Sequence, residues 1–190
     1  MFLYEEVKIM KLLILSDTHL QNDLLKNITD KYPGMDYYIH CGDSSLKNDD
    51  PLLKKYLTVN GNHDRPGTFK TNIIFNAGKY RCLITHGNKF NIYYGNEQLL
   101  AFMKKKHIDI AFHGHTHVPA YTIIENKYII NPGSVMMNRG SYGFGTFAIV
   151  TIINDELEIK YYHSSTFEEC TDLVLNDGIL MLEEFKKILK

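Results

Sequence analysis

Five short apolar runs in this chain lead straight into Asp, Asn or His, and a glycine stands beside four of them. "LLIL" opens onto Asp17 and His19, "YYI" onto Asp43, "LTV" onto Asn62, His63 and Asp64, "CLIT" onto His86, and "IAF" onto His115 and His117. Short, continuous apolar runs bounded by turn residues read as buried strands. In open α/β sheets, sites form outside the carboxyl ends of the strands. The pattern therefore demands a fold in which several strands deliver ligand-type side chains to one rim. Asp17 and His19 are two residues apart, as are His115 and His117. In extended backbone such pairs point to one side, so each pair could grip one metal ion or straddle two. Gly42, Gly61, Gly87 and Gly114 lie beside these residues and allow sharp turns and close approach to ions.

The rest of the chain alternates in the same way. Strands are predicted at 10–16, 36–40 and 57–60, and two more within 72–86 that turn near Ala77-Gly78. A helix is predicted over 23–32, ending at Pro33-Gly34, and a short one over 50–56 with Pro51 near its start. The clearest helix is 96–107. Asn96 can cap it, Leu99, Leu100, Phe102 and Met103 form its apolar face, and Lys104 to Lys106 complement its dipole as a solvated end. A strand at 108–113 follows. Beyond residue 118 come strands at 120–126, 127–133, 144–153 and 157–163, which look antiparallel, then a helix at about 178–189. The sum is an α/β (α+β) domain with a sheet core and helices outside. A length of 190 residues suits one domain spanning 1–190.

Composition removes several function classes. A net charge of −1 leaves no global basic field, so no stable nucleic-acid complex is expected and any anion affinity must be local. Hydrophobic residues at 44% and charged residues at 23% exclude a disordered tail protein. Cys41, Cys82 and Cys170 are odd in number and form no CxxC, which argues against a disulfide framework or a thiolate zinc site and for a reduced, cytoplasmic location. No apolar run approaches the ~18 residues that span a bilayer, so no membrane partner is expected. Glu5 and Glu6 stand where a signal peptide would be basic. Residues 1–9 read as dispensable, with Met10 able to serve as a start. The opposing reading is that "EEVKI" extends the first strand.

Asp17, His19, Asp43, Asn62, His86, His115 and His117 offer imidazole, carboxylate and amide oxygen. That mixture suits Mn first, then Ni, Zn, Fe or Co, better than Ca. Seven donors exceed one ion, so two divalent metal ions bridged by one carboxylate are the natural solution. Two dications and two aspartates leave about +2, which favours a phosphate oxyanion and two-metal hydrolysis. A turn after the strand would let Asn62 and His63 converge on one pocket, Asn62 by its carbonyl and His63 toward substrate. Other residues take plain roles. His40 and His113 are packed or support the ligands, His107 and His163 lie at the surface, Cys41 is a small buried side chain, and the tyrosines of "NIYYGN" (91–96) are read as core and rim packing, the alternative being that they line a substrate surface.

The order D-x-H, GD, GNHD, HG, GHTH resembles the calcineurin-like metallophosphoesterase superfamily over residues 11–163. The later "INPGS" (130–134) is similar to its small bacterial and archaeal phosphodiesterase branch, which is related to the retromer scaffold subunit. The resemblance implies a four-layer αββα sandwich. It implies Asp17, His19 and His117 on one metal, Asn62, His86 and His115 on the other, and Asp43 bridging. It implies His63 as the general-acid or phosphate-contacting histidine, Asp64 orienting His63, and Arg139 as a candidate phosphate contact. The activity implied is hydrolysis of a small-molecule or nucleotide phosphodiester by a two-metal-activated hydroxide, with His63 assisting the leaving group. The alternative is a non-enzymatic protein-binding scaffold on the same fold. A homo-oligomer is left open.

Overall fold

In the computed structural model, which describes residues 9–154 and 156–188, two five-stranded mixed sheets stack face to face. The first sheet joins β1 (Ile9–Leu15), β2 (Tyr37–His40), β3 (Tyr56–Thr58), β9 (Thr146–Ile153) and β10 (Glu156–His163) in the order β10-β9-β1-β2-β3. The second joins β4 (Asn72–Ala77), β5 (Tyr80–Thr85), β6 (Ile110–Phe112), β7 (Ala120–Ile124) and β8 (Lys127–Asn131) in the order β4-β5-β6-β8-β7. β1, β2 and β3 run parallel, as do β5, β6 and β8. The late strands are antiparallel hairpins, as expected, but they divide. β7–β8 edges the second sheet and β9–β10 the first.

Side-chain alternation explains the layers. Leu12 and Ile14 point between the sheets and meet Ile84, Phe112 and Ile130 in one core. Leu13 and Leu15 point the other way, onto Leu25 and Ile28 of α1 (Asn22–Lys31). In the second sheet Leu83, Ala111 and Ile129 face Leu99 and Met103 of α2 (Glu97–Lys106). Because both faces of β1 and β5 are covered over residues 12–15 and 82–85, these stretches are buried without alternation. Each such fully buried aliphatic side chain contributes roughly 1.5–3 kcal/mol. The layers are helix, sheet, sheet, helix: the expected αββα sandwich. A third helix, α3 (Thr171–Ile188), packs on β7 and β10 and places Val174 in the central core. No helix among the described residues is long and apolar enough to cross a membrane.

Several expectations change. The helix over 50–56 shrinks to a 3-10 turn at Pro51–Leu53, because Asp50 caps Leu52 N–H and Tyr56 is drawn into β3 beside Tyr38. Asn96 makes no side-chain cap; its backbone (φ −96°, ψ 0°) is too nearly helical for the side chain to fold back. The last helix starts at Thr171, seven residues earlier than 178, across Asn176-Asp177-Gly178; residues 189–190 lie outside the described residues. Ile9 belongs to β1 and pairs with Ile153. The remainder of the 1–9 expectation lies outside the described residues. His163 is half-buried, stacked on Phe144 with ring centroids 4.3 Å apart, while His107 is exposed.

Candidate metal centre

Backbone bonds join the loops leaving β1 and β2 to each other, and likewise the loops leaving β5 and β6. Asp17 N–H donates to Gly42 O at 3.0 Å and His19 N–H to Asp43 O at 3.1 Å, joining the first two loops. His40 clamps the same pair: its Nδ1 accepts from Gly42 N–H at 3.2 Å, and its Nε2 meets Thr18 Oγ1 at 3.1 Å. Gly114 N–H reaches His86 O at 3.0 Å, joining the loops after β5 and β6. At Gly42 (φ +98°) a Cβ would stand 2.8 Å from Gly61 N and 2.9 Å from His86 Nδ1, so only glycine fits.

These turns correct the expected backbone. Asp17, His19, Asp43, His115 and His117 have φ of 52°, 43°, 57°, 70° and 56°, the left-handed region, not the extended one. A non-glycine residue there costs on the order of 1–3 kcal/mol and persists where the surroundings over-determine it. The tight turns are forced because each loop must reverse directly after its strand while its N–H groups reach a neighbouring loop.

Two groups of donors result. Asp17 Oδ1 has the Nε2 atoms of His117 at 3.2 Å and of His19 at 4.0 Å, and those two Nε2 atoms are 3.4 Å apart. His86 Nε2 lies 3.0 Å from Asn62 Oδ1, 3.3 Å from Asp43 Oδ2 and 4.0 Å from Asp17 Oδ1. The carboxylate common to both groups is Asp17. The resemblance gives that place to Asp43, which sits beside His86 and is held by His63 N–H at 2.7 Å. The His115 ring stands 5.0 Å from the His86 ring, so His115 and His117 straddle the two groups.

The donors fit divalent cations. Asp17 Oδ1 is buried and accepts no hydrogen bond, an expensive position for a carboxylate oxygen unless a cation faces it. His86 Nδ1 donates to Cys41 O at 2.8 Å, which turns the Nε2 lone pair into the site. Burial opposes charge on Asp17, yet the adjoining His117 and His86 hold its carboxyl well below the usual range. Burial likewise works against His86, and Asp43 and Asp17 outweigh it, lifting its pKa to about 9. Carboxylates that hold that proton can hold a cation in its place. Burial pushes His19 down and His115 down to about 4, leaving neutral imidazoles, the form that ligates metal.

His63 and Asp64 part company. The His63 ring stands edge-on to His19, centroids 5.4 Å apart, at the first donor group. The Asp64 carboxylate was expected to orient that ring. Instead it accepts from Asp43 N–H and Gly61 N–H at 2.8 Å each, Ser45 N–H at 2.6 Å and Ser44 Oγ–H at 3.3 Å. It staples the loop after β2 to the loop after β3.

Other contributors escaped the sequence. Asn131 of "INPGS" donates to Gly114 O and Thr116 Oγ1 and accepts from Gly133 N–H, propping the "GHTH" loop. Ser134 Oγ–H donates to Asp17 O at 2.9 Å. Asn131 ends β8 and Ser134 follows it by three residues, so both are polar residues at a strand end, the same signal that marked the ligands. Tyr93, read as packing, lies against His115 with centroids 4.8 Å apart and donates its hydroxyl to His115 O at 3.0 Å. Arg139 N–H donates to His117 O at 2.8 Å, and its guanidinium rests over Tyr93.

Residues 10–155 match the calcineurin-like phosphoesterase superfamily domain. A probable metallophosphoesterase of Bacillus subtilis (strain 168), YsnB, is 34% identical over 161 residues, covering 80% of this chain and 90% of that protein. Among solved structures, a predicted phosphoesterase from Streptococcus pneumoniae TIGR4 superposes with a TM-score of 0.78 at 25% identity, over 83% of this chain and 91% of that one. Vacuolar Protein Sorting 29 from Cryptosporidium parvum shares the fold with a TM-score of 0.68 at 18% identity, over 85% of this chain and 95% of that one. With the donor groups described above, these matches make the chain a member of the calcineurin-like phosphoesterase superfamily and a metal-dependent phosphoesterase.

Proposed function

We propose that the protein hydrolyses phosphodiesters at a two-metal centre. The observation that carries this reading is the buried, unbonded Asp17 Oδ1, faced by imidazole nitrogens from three loops, with a second donor group around His86 beside it. Asp17, His19 and His117 would hold one ion. Asn62, Asp43 and His86, with His115 beside them, would hold the other. Two divalent ions held by these residues, manganese first among them, would supply Lewis acidity to activate water and would neutralise charge at phosphorus. The His63 ring, at the His19 edge, gives its proton to the departing alkoxide. One P–O ester bond breaks, one forms to the oxygen of water, and diester becomes monoester plus alcohol. The fold shared with Vacuolar Protein Sorting 29 favours a second reading, a protein-binding scaffold. A scaffold needs neither a buried unbonded carboxylate nor His63 at its edge, so the enzyme is preferred.

The test strips the protein of metal and adds Mn, Ni, Zn or Mg. It measures cleavage of bis(4-nitrophenyl) phosphate and of 4-nitrophenyl phosphate. Diester cleavage restored by Mn is expected, with the monoester slower. Metal binding without cleavage of either ester under all four ions would overturn the enzyme. A monoester turned over many times faster would overturn the diester preference.

A further inference from the structure

Arg139 is an exposed cation that lies against two aromatic rings. Its guanidinium carbon lies 5.3 Å from the Tyr93 ring centre and 5.7 Å from that of Phe185, and the two rings meet edge to face at 5.5 Å. Among the described residues no carboxylate pairs with it. One of these rings and the Arg139 backbone are tied to the ligand loop. Tyr93 bonds His115 O, and the Arg139 backbone bonds His117 O. The other ring, Phe185, comes from α3, beyond the segment 10–155 that matches the superfamily. The two rings meet each other and support the guanidinium from one side, which leaves N–H groups on its other side free to take phosphate in a bidentate pair. A side chain already resting on two rings loses less freedom when it binds than one that hangs in solvent. The guanidinium stands one ring away from His115.

We propose that Arg139, resting on Tyr93 and Phe185, is a specificity residue that receives a second phosphate group on the substrate, separate from the phosphate being cleaved. The proposal rests on the phosphodiesterase reading for what the second phosphate accompanies. It names a doubly phosphorylated substrate class, such as a nucleotide diester bearing another phosphate on its sugar. It also gives α3 a task at the site that the two-metal chemistry does not require.

Direct binding separates this proposal from the reading beneath it. Titration calorimetry of the Mn-loaded protein compares thymidine 5′-monophosphate with thymidine 3′,5′-bisphosphate. Wild type should bind the bisphosphate about tenfold or more tightly, the size of one charge-assisted contact. Arg139→Ala should bring that ratio close to 1, Arg139→Lys should restore part of it, and Phe185→Leu should lower it while leaving the guanidinium in place. A merely structural role would weaken both ligands in proportion and preserve the ratio. Equal binding by wild type, or a ratio that survives Arg139→Ala, overturns the proposal. Turnover of thymidine 3′-(4-nitrophenyl phosphate), with and without a 5′-phosphate, is read separately. No turnover of either would sink the diesterase reading and leave the binding ratio to judge Arg139 alone. Where turnover occurs, the 5′-phosphate should act on KM more than on kcat.

Discussion

Asn62 and His63 are neighbours, yet they serve different donor groups: Asn62 Oδ1 lies 3.0 Å from His86 Nε2, while the His63 ring meets His19. Their alanine variants should fail differently. Asn62→Ala should lose metal at the His86 group and activity together. His63→Ala should keep its metal and slow by roughly 10²- to 10⁴-fold, less for a nitrophenolate than for a poor leaving group. Metal analysis beside kinetics on both substrates decides it; a lost ion, or equal slowing on both, would remove His63 from the acid role. Asp64 makes a third case. Its oxygens accept three backbone N–H groups and a hydroxyl, so Asp64→Asn must turn an amide N–H₂ against N–H donors. A loss of about 2–4 kcal/mol is expected, with Tm falling on the order of 5–15 °C. The dependence on leaving group should match wild type, because Asp64 holds the loops and not the His63 ring; a flattened dependence would return it to the acid role. His40 supplies a pH signature. Burial lowers its pKa to about 4, against about 6.5 in an unfolded chain. Between those values the unfolded chain takes a proton that the folded one refuses, so stability present above about pH 6.5 is lost as pH falls toward 4. Tm of the chelated protein should therefore fall less steeply over that window in His40→Gln than in wild type. Parallel curves would show that His40 is not the group responsible.

Among the elements, α3 meets β7 and β10 at its tightest point where Gly178 crosses Pro119, and a Cβ there would collide with the Pro119 carbonyl oxygen. Alanine in an exposed helix would gain about 1 kcal/mol over glycine. Here a backbone oxygen cannot step aside, so Gly178→Ala should lower Tm by a few degrees, at a cost of about 1–3 kcal/mol. A raised Tm would mean that α3 is free to shift. The same glycine explains why the start of this helix was hidden: "NDG" reads as a break, and only the packing over Pro119 keeps it helical. Strands were easier. Leu12 to Leu15 and Cys82 to Thr85 are apolar because both faces of their strands are covered, and a continuous run carries that information. Which sheet each late hairpin joins was not legible, since the pairing of β1 with β9 is decided by residues more than a hundred positions apart. Asn96 misled because a capping residue type says nothing about its own φ and ψ.

For the whole molecule, the site was more legible than the sandwich that builds it. All seven metal candidates lie in or beside the two donor groups, because a motif names its candidate donors one by one. What props them was harder to read. Asp64, Asn131 and Tyr93 join loops that follow different strands, and Phe185 reaches Tyr93 from α3, so their partners are far away in the sequence. This division predicts how metal and fold are coupled. The three apolar clusters contain no candidate ligand, so the layers should survive chelation. The rim should not be indifferent, because five candidate ligands sit at positive φ and Asp17 Oδ1 is buried without a hydrogen bond. Metal that binds the folded rim alone adds about 2.7 kcal/mol at a hundredfold excess over Kd. For a domain of this size that is a Tm higher by roughly 5–11 °C in Mn than in chelator. Far-ultraviolet circular dichroism should be the same in both, and unfolding should stay cooperative. A Tm that ignores Mn would mean that the rim does not bind it. A spectrum that collapses in chelator would mean that the ions hold the sheets together, and that the cores are too weak to stand alone.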